Sequence, residues 1–477
     1  MISFLPEHYL IFCIFVLLSF FCIYSLSIKH AYPKLHNGML YLSFISLLNF
    51  LFLNAIDFSF SSIYFSDSFI KNDFSSIIII LMSIFTIALV LNFSSYNKNN
   101  NINYFEFYIL VMLVLFSSCL LISSIEFFSF YFILELQGVI LYILASFNRL
   151  NKKSIESGIK YLILNSFSSV ILLLGFSFIY AITGTFSFID IAYFVSTVDS
   201  QSLLLKFSSI FIITSFLFKI YNAPFHFWIA DIYEGSPTSS VSVFSIIPLL
   251  SVFYSFSKVI ELFYSSIIDI IYSIYFFVSI LTIIVGTLFA LYQRNLKKLL
   301  AYSTVTNIGY LLSTTLNSNA LGFLNGFLFV CIYLFNLLGI FILIMSLYDS
   351  RKKRFLDNIH IFSGFLKTHR NYSFFFICYL FSLGGIPPFS LFLSKLFIIT
   401  SLLNHMNYII IATIICSTFL TSFYYIRIVK LFAYNSHNVW FFIKPSSYTV
   451  AYSIVFGILT QFILLFFMSN FNILYIN

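Results

Sequence analysis

The chain has 477 residues, 61% hydrophobic and only 8% charged, with a mean hydropathy of +1.01. Soluble domains carry about 25% charged residues, so this composition excludes a water-soluble protein and describes an integral membrane chain with more apolar sequence than one core can bury. The net charge of +8 marks no nucleic-acid partner, because the basic residues lie in short clusters between apolar runs, where they set topology.

Taken in order, the apolar windows begin at 9–28, 38–58 and 74–93, the first starting almost at once after MISFLPEHYLIF. That N-terminus lacks the Arg- and Ser-rich amphipathic character of a transit peptide. The alphabet is skewed, with 67 Phe and 33 Tyr against 15 Gly, 8 Pro and 2 Trp. Residues with A/T-rich codons are favoured, which suggests an A/T-rich genome such as an organelle's. A bacterial origin stays open on this ground.

The fourth and fifth windows, 104–123 and 127–147, bring acids into the membrane. Glu106 stands at the start of the fourth and is ambiguous. Glu135, in FYFILELQGVILYIL, lies mid-span, too deep for its short side chain to reach the interface. After the sixth window, 157–181, the stretch TFSFIDIAYFVSTVDSQS has a partly helical apolar spacing that predicts an interfacial helix or loop.

The seventh window, 203–222, runs into FKIYNAPFHFWIADIYEGSPTSSV, where polar chemistry gathers. Lys219 lies near the end of the apolar run, and Pro224 interrupts the helix about a turn later. An ammonium at membrane depth costs roughly 2.5–3.5 kcal/mol on insertion scales. The proline removes a backbone donor and leaves carbonyls to be satisfied by neighbours or water. Together they predict part of an ion or proton path. The alternative is a lysine snorkelling to the interface beside a loop proline. Opposite Lys219, Glu135 could share a proton's worth of charge with it, or the two could be a structural pair joining helices. His226, beside the break, could relay protons or bond a freed carbonyl.

Lys258 and Glu261 end the eighth window, 238–262, and snorkelling explains them better than a place in the path, so Lys258 is a secondary candidate. The windows at 267–291, 297–316 and 321–348 follow, and then the twelfth, 373–402, is interrupted at Gly384, Gly385, Pro387 and Pro388, with Lys395 just beyond. In the seventh span the lysine precedes its break and in the twelfth it follows. Those spans start on opposite sides of the membrane, so this is the pattern of an inverted-topology repeat. Two unrelated proline kinks would give it only by coincidence. Windows at 407–433 and 447–470 complete roughly fourteen predicted spans of an all-α polytopic membrane protein.

Charge placement is an independent check. Basic clusters follow odd-numbered spans, as with Lys29 and Lys34, Lys98, Arg149 to Lys153, Arg294 to Lys298, Arg351 to Arg354, and Arg427 with Lys430, while loops after even spans are acidic or bare; the loop after the seventh span, with only Asp231 and Glu234, is the exception and coincides with the broken helix. Odd loops therefore share the cytoplasmic or matrix side, with both termini opposite. The six cysteines show no CxxC or CxxxC spacing, the loop histidines His30, His36, His360, His369 and His437 no metal-ligand spacing, and no GxGxxG or GxxxxGK run occurs. No iron–sulfur, zinc or nucleotide site is expected, and any redox chemistry must belong to a partner.

Several motifs read together carry a resemblance: LELQGVILYILASFNR with SIESGIKYLILNSFSS, FKIYNAPFHFWIADIYEGSPTSS, QRNLKKLLAYSTVTNIGYLL and GGIPPFSLFLSKL. In this order, from about residue 105 to 400, they resemble the chain 2 subunits of NADH:ubiquinone oxidoreductase, respiratory complex I. The DxYEGSPT form at Asp231 to Thr238 favours chain 2 over the related subunits 4 and 5.

The resemblance implies fourteen transmembrane helices with broken helices 7 and 12. It implies a three-helix segment over 1–103, inverted five-helix repeats over 104–265 and 266–435, and a last helix over 436–477. It also implies proton translocation across the mitochondrial inner membrane, with basic loops on the matrix side, coupled to quinone reduction elsewhere. NADH, FMN, iron–sulfur clusters and ubiquinone would then sit in partner subunits, with none bound by this chain. Neighbours would include subunits 4 and 4L, accessory subunits and phospholipids such as cardiolipin. By motif, Glu135, Lys219 and Lys395 take the places of the family's fifth-helix glutamate and its seventh- and twelfth-helix lysines. Three positions depart: Leu249 follows Pro248 where a lysine is usual, Asn307 stands for a histidine, and Ala230 for a proline. A free-standing cation/proton antiporter of the same fold, or a scaffold subunit with a degenerate path, are the rival expectations.

Overall fold

The computed structural model describes residues 5–25, 32–57, 62–65, 67–99, 102, 104–197, 203–316, 320–349, 359–434 and 443–445. The helices are, in order, α1 (Leu5–Ser25), α2 (Tyr32–Ile56), α3 (Asp73–Asn99), α4 (Glu106–Ser123), α5 (Phe127–Ala145), α6 (Lys152–Thr183), α7 (Phe188–Thr197), α8 (Leu203–Lys219), α9 (Phe227–Gly235), α10 (Thr238–Glu261), α11 (Tyr264–Tyr292), α12 (Leu296–Thr314), α13 (Ala320–Ser346), α14 (Phe365–Thr368), α15 (Arg370–Gly384), α16 (Ser390–Asn404) and α17 (Tyr408–Tyr434). Two short antiparallel pairs accompany them, β1 (Ser62–Tyr64) with β2 (Phe69–Lys71), and β3 (Leu347–Asp349) with β4 (Ile443–Pro445).

Every predicted span through the thirteenth is a helix or a pair of helices. The fourteenth, at 447–470, lies outside the described residues. Among those described, 10 helices are long and apolar enough to cross a bilayer. The seventh span is the pair α8 and α9, and the twelfth is α15 and α16, each interrupted at its prolines, where a cis Ala223–Pro224 and a cis Pro387–Pro388 bond lie. The stretch expected as an interfacial helix or loop is the helix α7. Its buried side chains Phe188, Ile191 and Val195 recur at helical spacing and leave Ile189 and Tyr193 exposed.

The residues form two compact units, Met1–Ile220 with Gly235–Ile271, and Tyr221–Glu234 with Tyr272–Asn477. In the first, α1 to α6 pack largely on their sequence neighbours, α8 lies along α6, and α10 packs on α3, α4 and α5. Helix α10 is buried along almost its whole length although it is rich in serine. Beyond its first turn, where the Thr238, Ser239 and Ser240 hydroxyls have no hydrogen-bond partner among the described residues, hydroxyls are satisfied within the helix: Ser242, Ser245, Ser251, Ser255 and Ser257 each donate to the carbonyl three residues back. A serine-rich segment can thus stay apolar on its outside.

In the second unit α13 packs on α12, α15 and α16, and α17 on α15 and α16. The half-helix α9 belongs to this unit, so the break at Pro224 is also where the chain passes from one unit to the next. Close helix approach depends on Gly339 of α13, where an added Cβ would stand 2.2 Å from the ring of Tyr379 on α15. Gly339→Ala is expected to cost about 1–3 kcal/mol by overpacking, and Gly339→Val more. Thermal unfolding in detergent reads this directly, and an unchanged midpoint in Gly339→Val would contradict the packing.

Candidate functional site

Glu135 stands near the middle of α5, and Lys219 is the last residue of α8 before the chain breaks. The two meet: Lys219 Nζ lies 3.9 Å from Glu135 Oε1. Lys219 is buried, whereas Glu135 keeps 28% of its side chain exposed. Polar groups continue along α5. Gln137 donates to Ser251 Oγ on α10 at 3.3 Å, and Ser251 in turn donates to the carbonyl of Pro248. One turn further, the Asn165 amide of α6 donates to the Tyr142 hydroxyl. Glu135, Lys219, Gln137, Ser251, Tyr142 and Asn165 are a string of polar side chains in the middle of apolar helices.

Lys395 sits in α16, just past the second break, and is 3% exposed. Its ammonium has no hydrogen-bond partner and lies 4.9 Å over the centroid of the Tyr310 ring, a cation–π contact worth more when desolvated. Gly385, in the left-handed conformation at the end of α15, gives it room, because a Cβ there would stand 3.0 Å from Lys395 Nζ. The Tyr310 hydroxyl is hydrogen-bonded to Ser417 of α17 at 2.7 Å.

Around it the second unit buries a set of tyrosines. Tyr333, Tyr424 and Tyr425 are fully buried, their hydroxyls facing Asn307, Ser303 and one another without a hydrogen bond of good geometry, and the rings of Tyr424 and Tyr425 lie 4.5 Å apart. Phenols in apolar surroundings are costly unless something polar reaches them. Sequence reasoning missed this cluster, since tyrosine is so common in the chain that four buried ones stood out from nothing.

The secondary candidates fare differently. Lys258 does not snorkel outward as expected. Its ammonium turns inward, donating to the Ile122 carbonyl at the end of α4, 4.7 Å over the ring of Tyr254. Helix ends leave carbonyls unsatisfied, and a lysine held by one has less reason to reach for the interface. It shares α10 with Leu249, the position where a lysine is usual. Nine residues along α10 place it about 13 Å further along the helix axis. His226 is 2% exposed, stacks on Phe289 at 5.9 Å, and has no hydrogen bond of good geometry at either ring nitrogen. Asn307, where a histidine is usual, returns its amide to the Ser303 carbonyl at 2.9 Å.

Two ion pairs between distant segments were not anticipated. Glu234, at the end of α9, pairs with Lys298 of α12 at 2.8 Å. Glu7 of α1 pairs with Lys71 of β2 at 3.4 Å, both almost fully buried, and the same ammonium donates to Asn54 of α2 at 3.1 Å. Glu7 and Lys71 are 64 positions apart in the chain. Only the fold of the hairpin back onto α1 and α2 brings them inside. Among the described residues no three His, Cys, Asp or Glu side chains converge as metal ligands would.

Residues 124–421 match the family model for the transmembrane part of NADH:quinone oxidoreductase/Mrp antiporter proteins. The chain is 31% identical to NADH-ubiquinone oxidoreductase chain 2 of Marchantia polymorpha, over 92% of this chain and 90% of that one. It is 33% identical to NADH-quinone oxidoreductase subunit N of Pelagibacter ubique, over 90% and 91%. In fold it is similar to a chain of respiratory complex I from Thermus thermophilus, with a TM-score of 0.78 and 19% identity, covering 96% of this chain and 97% of that one.

Proposed function

Because the chain belongs to the NADH:quinone oxidoreductase/Mrp antiporter membrane family, with chain 2 and subunit N proteins among its relatives, we propose that it is a core membrane subunit of NADH:ubiquinone oxidoreductase. In this reading it translocates protons across the mitochondrial inner membrane while quinone is reduced in other subunits. NADH, FMN, iron–sulfur clusters and ubiquinone are held by those partners, and this chain supplies a path and no redox centre. The skewed amino-acid usage, rich in residues with A/T-rich codons, supports the organelle, and basic loops then face the matrix.

The single observation that carries the reading is Glu135. It lies mid-span, pairs with Lys219 and still keeps 28% exposure, beside the exposed apolar ridge of Phe132, Leu136 and Val139. A carboxylate facing hydrocarbon at that depth is costly, so this face of α5 needs a protein neighbour to cover it. Such a neighbour is also what a coupled subunit requires. A charge or conformational change arriving from it acts first on Glu135 and resets the balance with Lys219. Hydroxyl and amide groups, with water between them, carry the step onward, and Lys395 exchanges its proton with the far side.

At 3–4 Å an effective dielectric of ~20 gives about 4–5 kcal/mol per charge step, enough to reset a neighbour's protonation. Subunit 4 and the small subunit 4L are the proposed membrane neighbours. The family's antiporter branch supports the second reading, a free-standing cation/proton antiporter, but that reading leaves the Glu135 face uncovered.

Purification from native membranes decides between them. The chain is expected to co-purify with NADH-dependent quinone reduction. Cation-driven proton exchange by the isolated chain in vesicles, with no quinone-reducing activity attached to the native form, would overturn the subunit assignment.

A further inference from the structure

Where α14 gives way to α15, cationic side chains stand about one helical turn from phenyl rings. Leu366, Arg370 and Phe374 recur every four residues across the junction, with Asn371 and Phe375 beside them, and these five side chains line a cavity of about 480 Å³. Arg370 and Asn371 are exposed at the head of α15. Phe374, one turn or about 6 Å deeper, is also exposed.

Lys367, on the last turn of α14, is exposed as well, and neither it nor Arg370 makes an ion pair among the described residues. No carboxylate lines the cavity. Lys430 is exposed on α17, in the turn before Leu431, whose carbonyl accepts from the Gly364 amide just ahead of α14. This end of the unit is therefore cationic at the surface and apolar just beneath.

That vertical order, uncompensated cations and an amide over an open phenyl-lined cleft, is complementary to one kind of molecule. From it we infer that the cleft at Arg370 holds an anionic phospholipid. The phosphate is bound by Arg370 with help from Asn371 and Lys367, and the start of an acyl chain lies on Phe374 and Phe375. The guanidinium suits a phosphate because it offers planar paired donors. The first-turn amides of α15 point the same way. A zwitterionic lipid would satisfy the rings and leave the excess positive charge unanswered. The inference does not depend on the proton path: none of these residues lies in it, and α15 reaches the second break only at its other end.

The test uses the assembled native complex reconstituted in phosphatidylcholine vesicles that contain a small fraction of either photoactivatable phosphatidylglycerol or photoactivatable phosphatidylcholine, with cross-linked peptides mapped. Residues 365–375 are expected to be labelled preferentially by the phosphatidylglycerol probe. The preference should fall about fivefold for each of Lys367→Gln and Arg370→Gln, since each cationic side chain near an anionic surface contributes on that scale. Quinone reduction by the variant complexes reports that they are folded. Equal labelling by the two probes, an undiminished preference in the double variant, or cross-linking of this peptide to a protein subunit would each overturn the assignment.

Discussion

Lys219→Met is expected to cut proton translocation by tenfold or more while leaving the subunit assembled. The ammonium sits 3.9 Å from Glu135 Oε1. At that distance one unit of charge changes the neighbour's energy by about 4 kcal/mol at an effective dielectric of ~20. Since 1.36 kcal/mol is one decade in proton affinity, gain or loss of the lysine charge resets the occupancy of the glutamate by about three decades. Methionine fills the same volume and cannot carry charge, so the pair loses one of its two states. Lys219→Arg keeps the charge permanently and is expected to recover assembly but little exchange. Initial rates of proton uptake by vesicles holding the assembled complex, with assembly followed on native gels, check this. Wild-type rates in Lys219→Met would contradict any exchange between the two groups.

The second large effect concerns stability. Lys71→Met removes the one cation that, among the described residues, pairs with Glu7, which is 3% exposed, and leaves Asn54 without its donor. Breaking a buried pair from one side costs about 3–5 kcal/mol, because the remaining charge stays in an apolar setting. Glu7→Gln with Lys71→Met removes both charges and is expected to recover most of the loss, since replacing a whole buried pair is often close to neutral. Thermal unfolding of the two variants in detergent separates the outcomes. If the double variant is no more stable than Lys71→Met alone, the pair does not hold the β1–β2 hairpin to α1 and α2.

Much of the fold was legible in the sequence because membrane spans announce themselves by length and hydropathy alone. Thirteen windows could be placed without knowing any contact, and the breaks at Pro224 and at Pro387 with Pro388 were visible as proline among apolar residues. Glu135 and Lys219 could be paired in advance for a physical reason: each is expensive alone in hydrocarbon, so the simplest arrangement joins them. Lys395 was found by the same cost, but what surrounds it was not. It has a tyrosine face where a carboxylate could have been expected, and nothing local in GIPPFSLFLSKL names Tyr310.

Lys258 shows the limit of reasoning by depth. Near a helix end its distance from the interface favours snorkelling, yet the carbonyl of Ile122, more than a hundred residues earlier, holds the ammonium inside. The Glu7–Lys71 pair was invisible for a similar reason, since contacts between distant segments have no periodicity to betray them. The departures at Leu249 and Asn307, in contrast, were plain from the motifs. The structure adds what replaces the missing charges: hydroxyls along α10 and an amide turned back on its own helix. The proposed path from Lys219 to Lys395 therefore lacks a titratable side chain at both Leu249 and Asn307.

The most direct measurement is the number of protons translocated per electron by vesicles holding the complex with Lys395→Met. Loss of this ammonium removes the last titratable cation of the proposed path without touching an ion pair, because Lys395 has none among the described residues. The ratio is expected to fall below that of the wild type while quinone reduction continues. A full wild-type ratio in Lys395→Met would contradict proton passage through this lysine.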